Sequence, residues 1–179
     1  MSTRPRITFD EEGKCSACQW SEKKKKINWE DRQKKLNKLL DKHRSKGGKY
    51  DCITTVSGGK DGSYVTYNLK HKHNMNPLAV TIRPVTETEL GIKNVQSFVN
   101  SGYEHIHVTP NHEAMRILNK IGFTEMGFPY YGWLIAIHSA VLRVAVQSDI
   151  PLVFYSEDGE MEYGGNLNKS FENEIYGVE

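Results

Sequence analysis

Long hydrophobic runs are absent. Nowhere do eighteen apolar residues follow one another in the 179-residue chain, so no segment is expected to cross a bilayer as a helix. Residues 1–10 are polar and hold no apolar signal core, and secretion is not expected. Cysteine is scarce: Cys15, Cys18 and Cys52 cannot frame a disulfide-stapled domain of this size, and a reducing cytoplasm fits best. Internal repeats are lacking, and the one low-complexity block is the run Lys23-Lys24-Lys25-Lys26. Also missing is G-x-x-x-x-G-K-[ST], which excludes the commonest phosphate loop.

Charge is present but unevenly spread. Between Glu22 and Lys49 twelve basic residues face four acidic ones, so a chain of net charge +2 carries +8 there and −6 elsewhere. The segment after Tyr155 is acidic, with Glu157, Asp158, Glu160, Glu162, Glu172, Glu174 and Glu179. The two ends can attract one another or a second subunit, which keeps a homodimer among the expected states. A lysine-rich helix is ordinarily a solvated face, so nucleic acid is not the expected partner.

The periodicity divides the chain into four stretches. Residues 1–27 read as an irregular, cysteine-bearing lead. A basic helix is expected over 28–48: Asn28 caps it with Asp31 at the third helical position, Leu36, Leu39, Leu40 and His43 share a face, and Gly47-Gly48 ends it. From 49 to 165, short β-branched runs (50–56, 78–82, 105–109 and 152–155) alternate with helical patterns (61–73, 88–101, 111–122 and 133–147). Residues 166–179 form an acidic tail. Such alternation predicts an α/β fold, an open doubly wound parallel sheet of about five strands with helices on both faces.

In sheets of this kind ligands bind beyond the carboxyl ends of the strands. Three strand ends carry chemistry: Ser57-Gly58-Gly59-Lys60-Asp61-Gly62-Ser63, Thr81-Ile82-Arg83 and Ser156-Glu157-Asp158. The first is the most specific. A strand feeds two glycines and then a helix start, where converging main-chain N–H groups stabilise a pyrophosphate. Ser57 and Ser63 add hydroxyls, Lys60 a positive charge, and Asp61 a carboxylate that orients the loop or holds Mg²⁺ through water. Backbone groups at Thr81 and Ile82 lie where an adenine edge would be read. Glu157 and Asp158 are either metal or substrate ligands or a solvated turn before Gly159.

The loop resembles S-G-G-x-D-[ST] of the PP-loop ATP pyrophosphatase superfamily, with Gly62 ahead of the last hydroxyl. The wider pattern resembles the N-acetyl sugar amidotransferases of bacterial surface-polysaccharide (lipopolysaccharide) biosynthesis. It rests on residues 6–18 (RITFDEEGKCSAC), 50–52 (YDC), 56–63, 76–81 (NPLAVT), 150–152 (IPL) and 159–165 (GEMEYGG). The resemblance implies an adenine nucleotide alpha hydrolase-like fold in which ATP adenylates the acetamido oxygen of an N-acetyl sugar, free or nucleotide- or lipid-linked. Ammonia from a separate glutaminase subunit then displaces AMP and leaves an acetamidino group. It also implies ATP and Mg²⁺ as cofactors and Lys60, Asp61 and Glu157 as catalytic residues. No glutaminase nucleophile is evident, since Cys52 falls within a strand.

Two features depart from that pattern. Relatives carry a second C-x-x-C, so Cys15 and Cys18 form half of a zinc site that needs another pair, His43 or a second chain; free thiols are the alternative. Relatives are also about twice as long, and the chain is expected to be a shortened, split or short member. Its loop alone also suits adenylation of a tRNA base, or nucleotide binding without turnover. Among the remaining residues, His105 and His107 share one side of a strand without metal spacing, and His138 reads as a core residue. Tyr130, Tyr131 and Trp133 offer either a sugar platform or core packing.

Overall fold

A computed structural model describes residues 7–45 and 47–157. These residues group into two compact units, one holding 7–36 with Glu157 and the other Asn37–Ser156.

The second unit is the α/β domain. Its β-branched runs become four parallel strands: β1 (Cys52–Thr55), β2 (Pro77–Ile82), β3 (His105–Val108) and β4 (Val153–Phe154). They lie in the order β3-β2-β1-β4. The described residues thus hold four strands where about five were expected. The last is only two residues long. Pro151 has no N–H for the ladder, and Leu152 contributes only its carbonyl, which accepts the Ile53 N–H at 2.8 Å.

Because side chains alternate across a strand, the register decides which face each one covers. Ile53, Leu78, Val80 and Ile82 meet Met115, Ala136, Val141 and Ala145 from two helices, α5 (His112–Met126) and α6 (Tyr131–Gln147). Ala79 and Val56 face the other way, onto Phe98 and Tyr103. That side is covered by α3 (Lys60–Tyr67) and α4 (Glu89–Asn100). Helices on both faces are what the alternation of elements requires. Full burial of a side chain such as Ile53 or Val80 contributes roughly 1.5–3 kcal/mol. Across the α3–β1 contact the Thr66 hydroxyl bonds that of Thr54 at 2.9 Å.

The amino end of this sheet is closed by a buried carboxylate. Asp51 is 4% exposed and accepts the backbone N–H of Ser45 at 2.5 Å and of Asn76 at 2.6 Å. Arg44 donates to the carbonyls of His73 (3.1 Å) and Asn74 (2.5 Å). The end of α2 (Trp29–His43) is thereby tied to the starts of β1 and β2. Between them, α3 continues into a π-helical turn, Asn68–Lys72.

Three expectations change. The lead is not irregular: after a bridge between Phe9 and Cys15, α1 runs over Ser16–Lys25 with Trp20 buried. Of the low-complexity lysine run, Lys23, Lys24 and Lys25 occupy the last turn of α1 and Lys26 its C-cap, where positive charge favours the negative helix end. Gly122 does not stop its helix, which continues to Met126 and ends at Gly127 with φ +66°. At Gly122 a Cβ would lie 2.3 Å from that of Tyr131, so the glycine is there for the close approach of α6. The two caps behave as expected: Asn28 accepts from the Asp31 N–H at 3.0 Å and Asn111 from that of Ala114 at 2.9 Å. Residues 158–179, with the expected acidic tail, lie outside the described residues.

Candidate functional site

The loop from Ser57 to Ser63 leaves the carboxyl end of β1, at the centre of the sheet, and runs into α3. Its conformation is one that only glycine holds without strain. Gly58 has φ +81°, and an added Cβ would fall 3.0 Å from Asn94 Cβ and from Val95 Cγ2 and 3.1 Å from the Val95 nitrogen. The middle of α4 therefore lies directly against the loop. Gly59 is the N-cap of α3 and has no side chain to cap with. First-turn N–H groups without a capping side chain at the positive helix end are an anion-binding arrangement.

Gly62 is an inner position of α3 rather than an extra loop residue. A Cβ there would meet the Thr55 carbonyl oxygen at 2.5 Å. The glycine lets α3 press against the end of β1, so Lys60, Asp61 and Ser63 all stand in the first turn of one regular helix.

The charged groups of the loop face each other. Lys60 Nζ lies 2.6 and 2.7 Å from the two oxygens of Asp61, on side chains 87% and 44% exposed. Exposed pairs contribute little to stability, so an arriving anion can draw Lys60 away at small cost and release Asp61 for a cation. The Ser63 hydroxyl donates to the Gly59 carbonyl at 2.8 Å, while Ser57 is exposed.

Two cavities flank Gly58. One, of about 150 Å³, is lined by Ser57, Thr81, Ile82, Glu87, His107 and Trp133 among others, so the loop and the end of β2 do converge. The other, about 630 Å³, is an open groove that includes Gly59, Lys60, Ser63, Tyr64, Tyr67 and Tyr103. Thr81 itself offers no free hydroxyl. It is 4% exposed, donates to the Val56 carbonyl at 2.5 Å and lies 2.8 Å from His105 Nε2.

The aromatic platform separates. Tyr131 packs on Gly122, Tyr130 is exposed and Trp133 lines the smaller cavity. His107 joins that cavity too; its place on the strand signalled this only through its pairing with Thr81. Glu87, Asn94 and the groove tyrosines were missed, because their roles depend on how helices pack rather than on any motif. Cys52 is buried and its thiol is pushed up to about 12, chiefly by burial, as befits a core residue.

In the other unit Cys15 is the N-cap of α1 and Cys18 lies in its first turn. Hydrogen bonds from the Cys18 N–H and thiol hold Cys15 below the usual thiol range; the same contact raises Cys18. Among the described residues no three His, Cys, Asp or Glu side chains gather to hold a metal. A structural zinc needs four ligands, and this pair supplies two. Glu157 is exposed in this unit, and Asp158 lies outside the described residues. No helix among the described residues is long and apolar enough to cross a membrane.

No protein-family model matches the chain. It is similar to an uncharacterized protein of Methanocaldococcus jannaschii, MJ1599, with 34% identity over 89 residues covering 38% of this chain. The match spans about a third (32%) of that protein's length.

Proposed function

We propose that the chain is the nucleotide-binding part of a PP-loop ATP pyrophosphatase of adenine nucleotide alpha hydrolase-like fold, acting as a cytoplasmic N-acetyl sugar amidotransferase. One observation carries the reading: a glycine loop with φ +81° at Gly58 delivers an inner parallel strand to a helix start without a capping side chain, and Ser57 at the head of that loop lines a cavity with the end of the next strand. The motif resemblance supplies the choice of acceptor.

In this reading the N–H groups from Gly58 to Asp61 hold the β- and γ-phosphates of ATP, with Lys60 turned toward them. Thr81 and Ile82 border the adenine. Asp61 would hold Mg²⁺, which neutralises phosphate charge. The residues fit these groups, since Gly59 leaves the first-turn N–H groups of α3 without a capping side chain and the Lys60–Asp61 pair beside them is exposed. An amide carbonyl is a poor electrophile and its oxygen a very poor leaving group. The acetamido oxygen attacks the α-phosphorus, its P–O bond forms and pyrophosphate departs, stabilised by the loop. Ammonia then adds to the activated carbon, loses a proton, and AMP leaves with the oxygen. A glutaminase subunit would supply the ammonia, and Cys15 with Cys18 would bind zinc only if further ligands are supplied.

The test is pyrophosphate release from ATP and Mg²⁺ with ammonia and a panel of nucleotide-linked N-acetyl sugars, run beside tRNA. Sugar-dependent release that disappears in Asp61→Ala is expected. Release that depends on tRNA would replace the acceptor, and protection by ATP without any turnover would reduce the chain to a binding part.

A further inference from the structure

We infer that Thr81, held by His105, is a positioning residue that sets the exit of β1 into the phosphate-binding loop; this deepens the nucleotide reading above and rests on it. Three strands contribute one link each. Val56 is the residue before the loop. Its N–H is still in the sheet, bonded to the Val80 carbonyl at 3.0 Å, but its carbonyl accepts from the Thr81 side chain at 2.5 Å. That bond lies one peptide before Ser57 and two residues before Gly58, the residue with positive φ.

A hydroxyl has one proton. Thr81 gives its proton to Val56, so the contact with His105 at 2.8 Å must run the other way, from Nε2–H to the Thr81 oxygen. This fixes the neutral His105 as its Nε2–H tautomer and fixes the Thr81 rotamer in turn. A serine would keep the relay; a valine of nearly the same shape would cut it while filling the same space. Glutamine at 105 retains an N–H donor on a side chain of similar reach, and leucine does not.

The probe is inorganic pyrophosphate with Mg²⁺, titrated calorimetrically into the full chain. Thr81→Val is expected to weaken binding about tenfold, the scale of one lost hydrogen bond, with the melting temperature recorded alongside. Thr81→Ser should restore it to within about threefold. His105→Leu should follow valine, and His105→Gln should follow the natural protein. Equal affinity in natural protein and Thr81→Val overturns the inference. So does an equal loss in Thr81→Ser, which would assign the effect to the methyl group. Should the natural protein bind no pyrophosphate, the nucleotide reading fails on its own. The relay is then judged by the amide resonances of Gly58 and Gly59, which should shift in Thr81→Val and stay in Thr81→Ser. Unmoved resonances in both variants refute it. If Thr81→Val does not fold, the leucine and glutamine pair at 105 decides by the same two readouts.

Discussion

The amino and carboxyl ends of the parallel sheet are built from the same strands and treated oppositely. At the amino end, backbone groups are satisfied within the chain: Asp51 takes the N–H groups of Ser45 and Asn76, and Arg44 takes the carbonyls of His73 and Asn74. At the carboxyl end Gly58 is in a left-handed conformation, and Gly59, the N-cap of α3, has no side chain to bond the first-turn N–H groups. The first end is bonded within the chain, and the second is where the proposed nucleotide would sit.

The largest effect should come from breaking the closed end. Asp51→Ala removes a buried acceptor from two N–H groups, which costs about 3 kcal/mol; chemical denaturation measures it, and pyrophosphate affinity of the folded fraction should be unchanged. Gly58→Ala addresses the open end and should reverse that pattern. Forcing an L side chain into the left-handed region costs roughly 1–2 kcal/mol, visible as a modest loss in denaturant midpoint. Pyrophosphate binding should fall at least about tenfold, because the loop must move off α4.

A smaller effect concerns pH. Burial holds His73, His105 and His138 below their ordinary value of 6.5. The unfolded chain takes up protons near that value and the folded chain resists, so stability is full above it and declines as pH falls below it. Melting temperature should drop between pH 7.5 and 5.5. His73→Gln and His105→Gln should each flatten the decline, dividing it between the turn before β2 and the edge strand β3. The smallest expected effect is none at all. Native alkylation should leave Cys52 unlabelled at neutral pH while a Ser57→Cys variant at the open end is labelled readily; mass spectrometry of the digested protein separates the two.

Much of this domain was legible in sequence because its signals are local. The β-branched runs at 52–55, 77–82 and 105–108 and the caps Asn28 and Asn111 each depend on neighbours within a few positions. The glycine loop was legible for the same reason. What failed to show depends on contacts distant in sequence. Gly122 reads as a stop until Tyr131 is seen against it, and Gly62 reads as an insertion until α3 is seen on Thr55. Asn94 and Val95 close over Gly58 from a helix with no motif of its own. The Thr81 relay needs three strands in register before it exists. The helix at Ser16–Lys25 was hidden for another reason: it has almost no apolar stripe for periodicity to reveal.

The strand order also has a consequence for synthesis. β1 gains β2 as a neighbour after about twenty-five residues, but its other flank waits for Val153 and Phe154, a hundred residues later. Throughout that interval on the ribosome β1 is a bare edge, open to pairing with any passing strand. Two residues near the end of the described chain therefore convert the most reactive border of the nascent sheet into its sheltered middle.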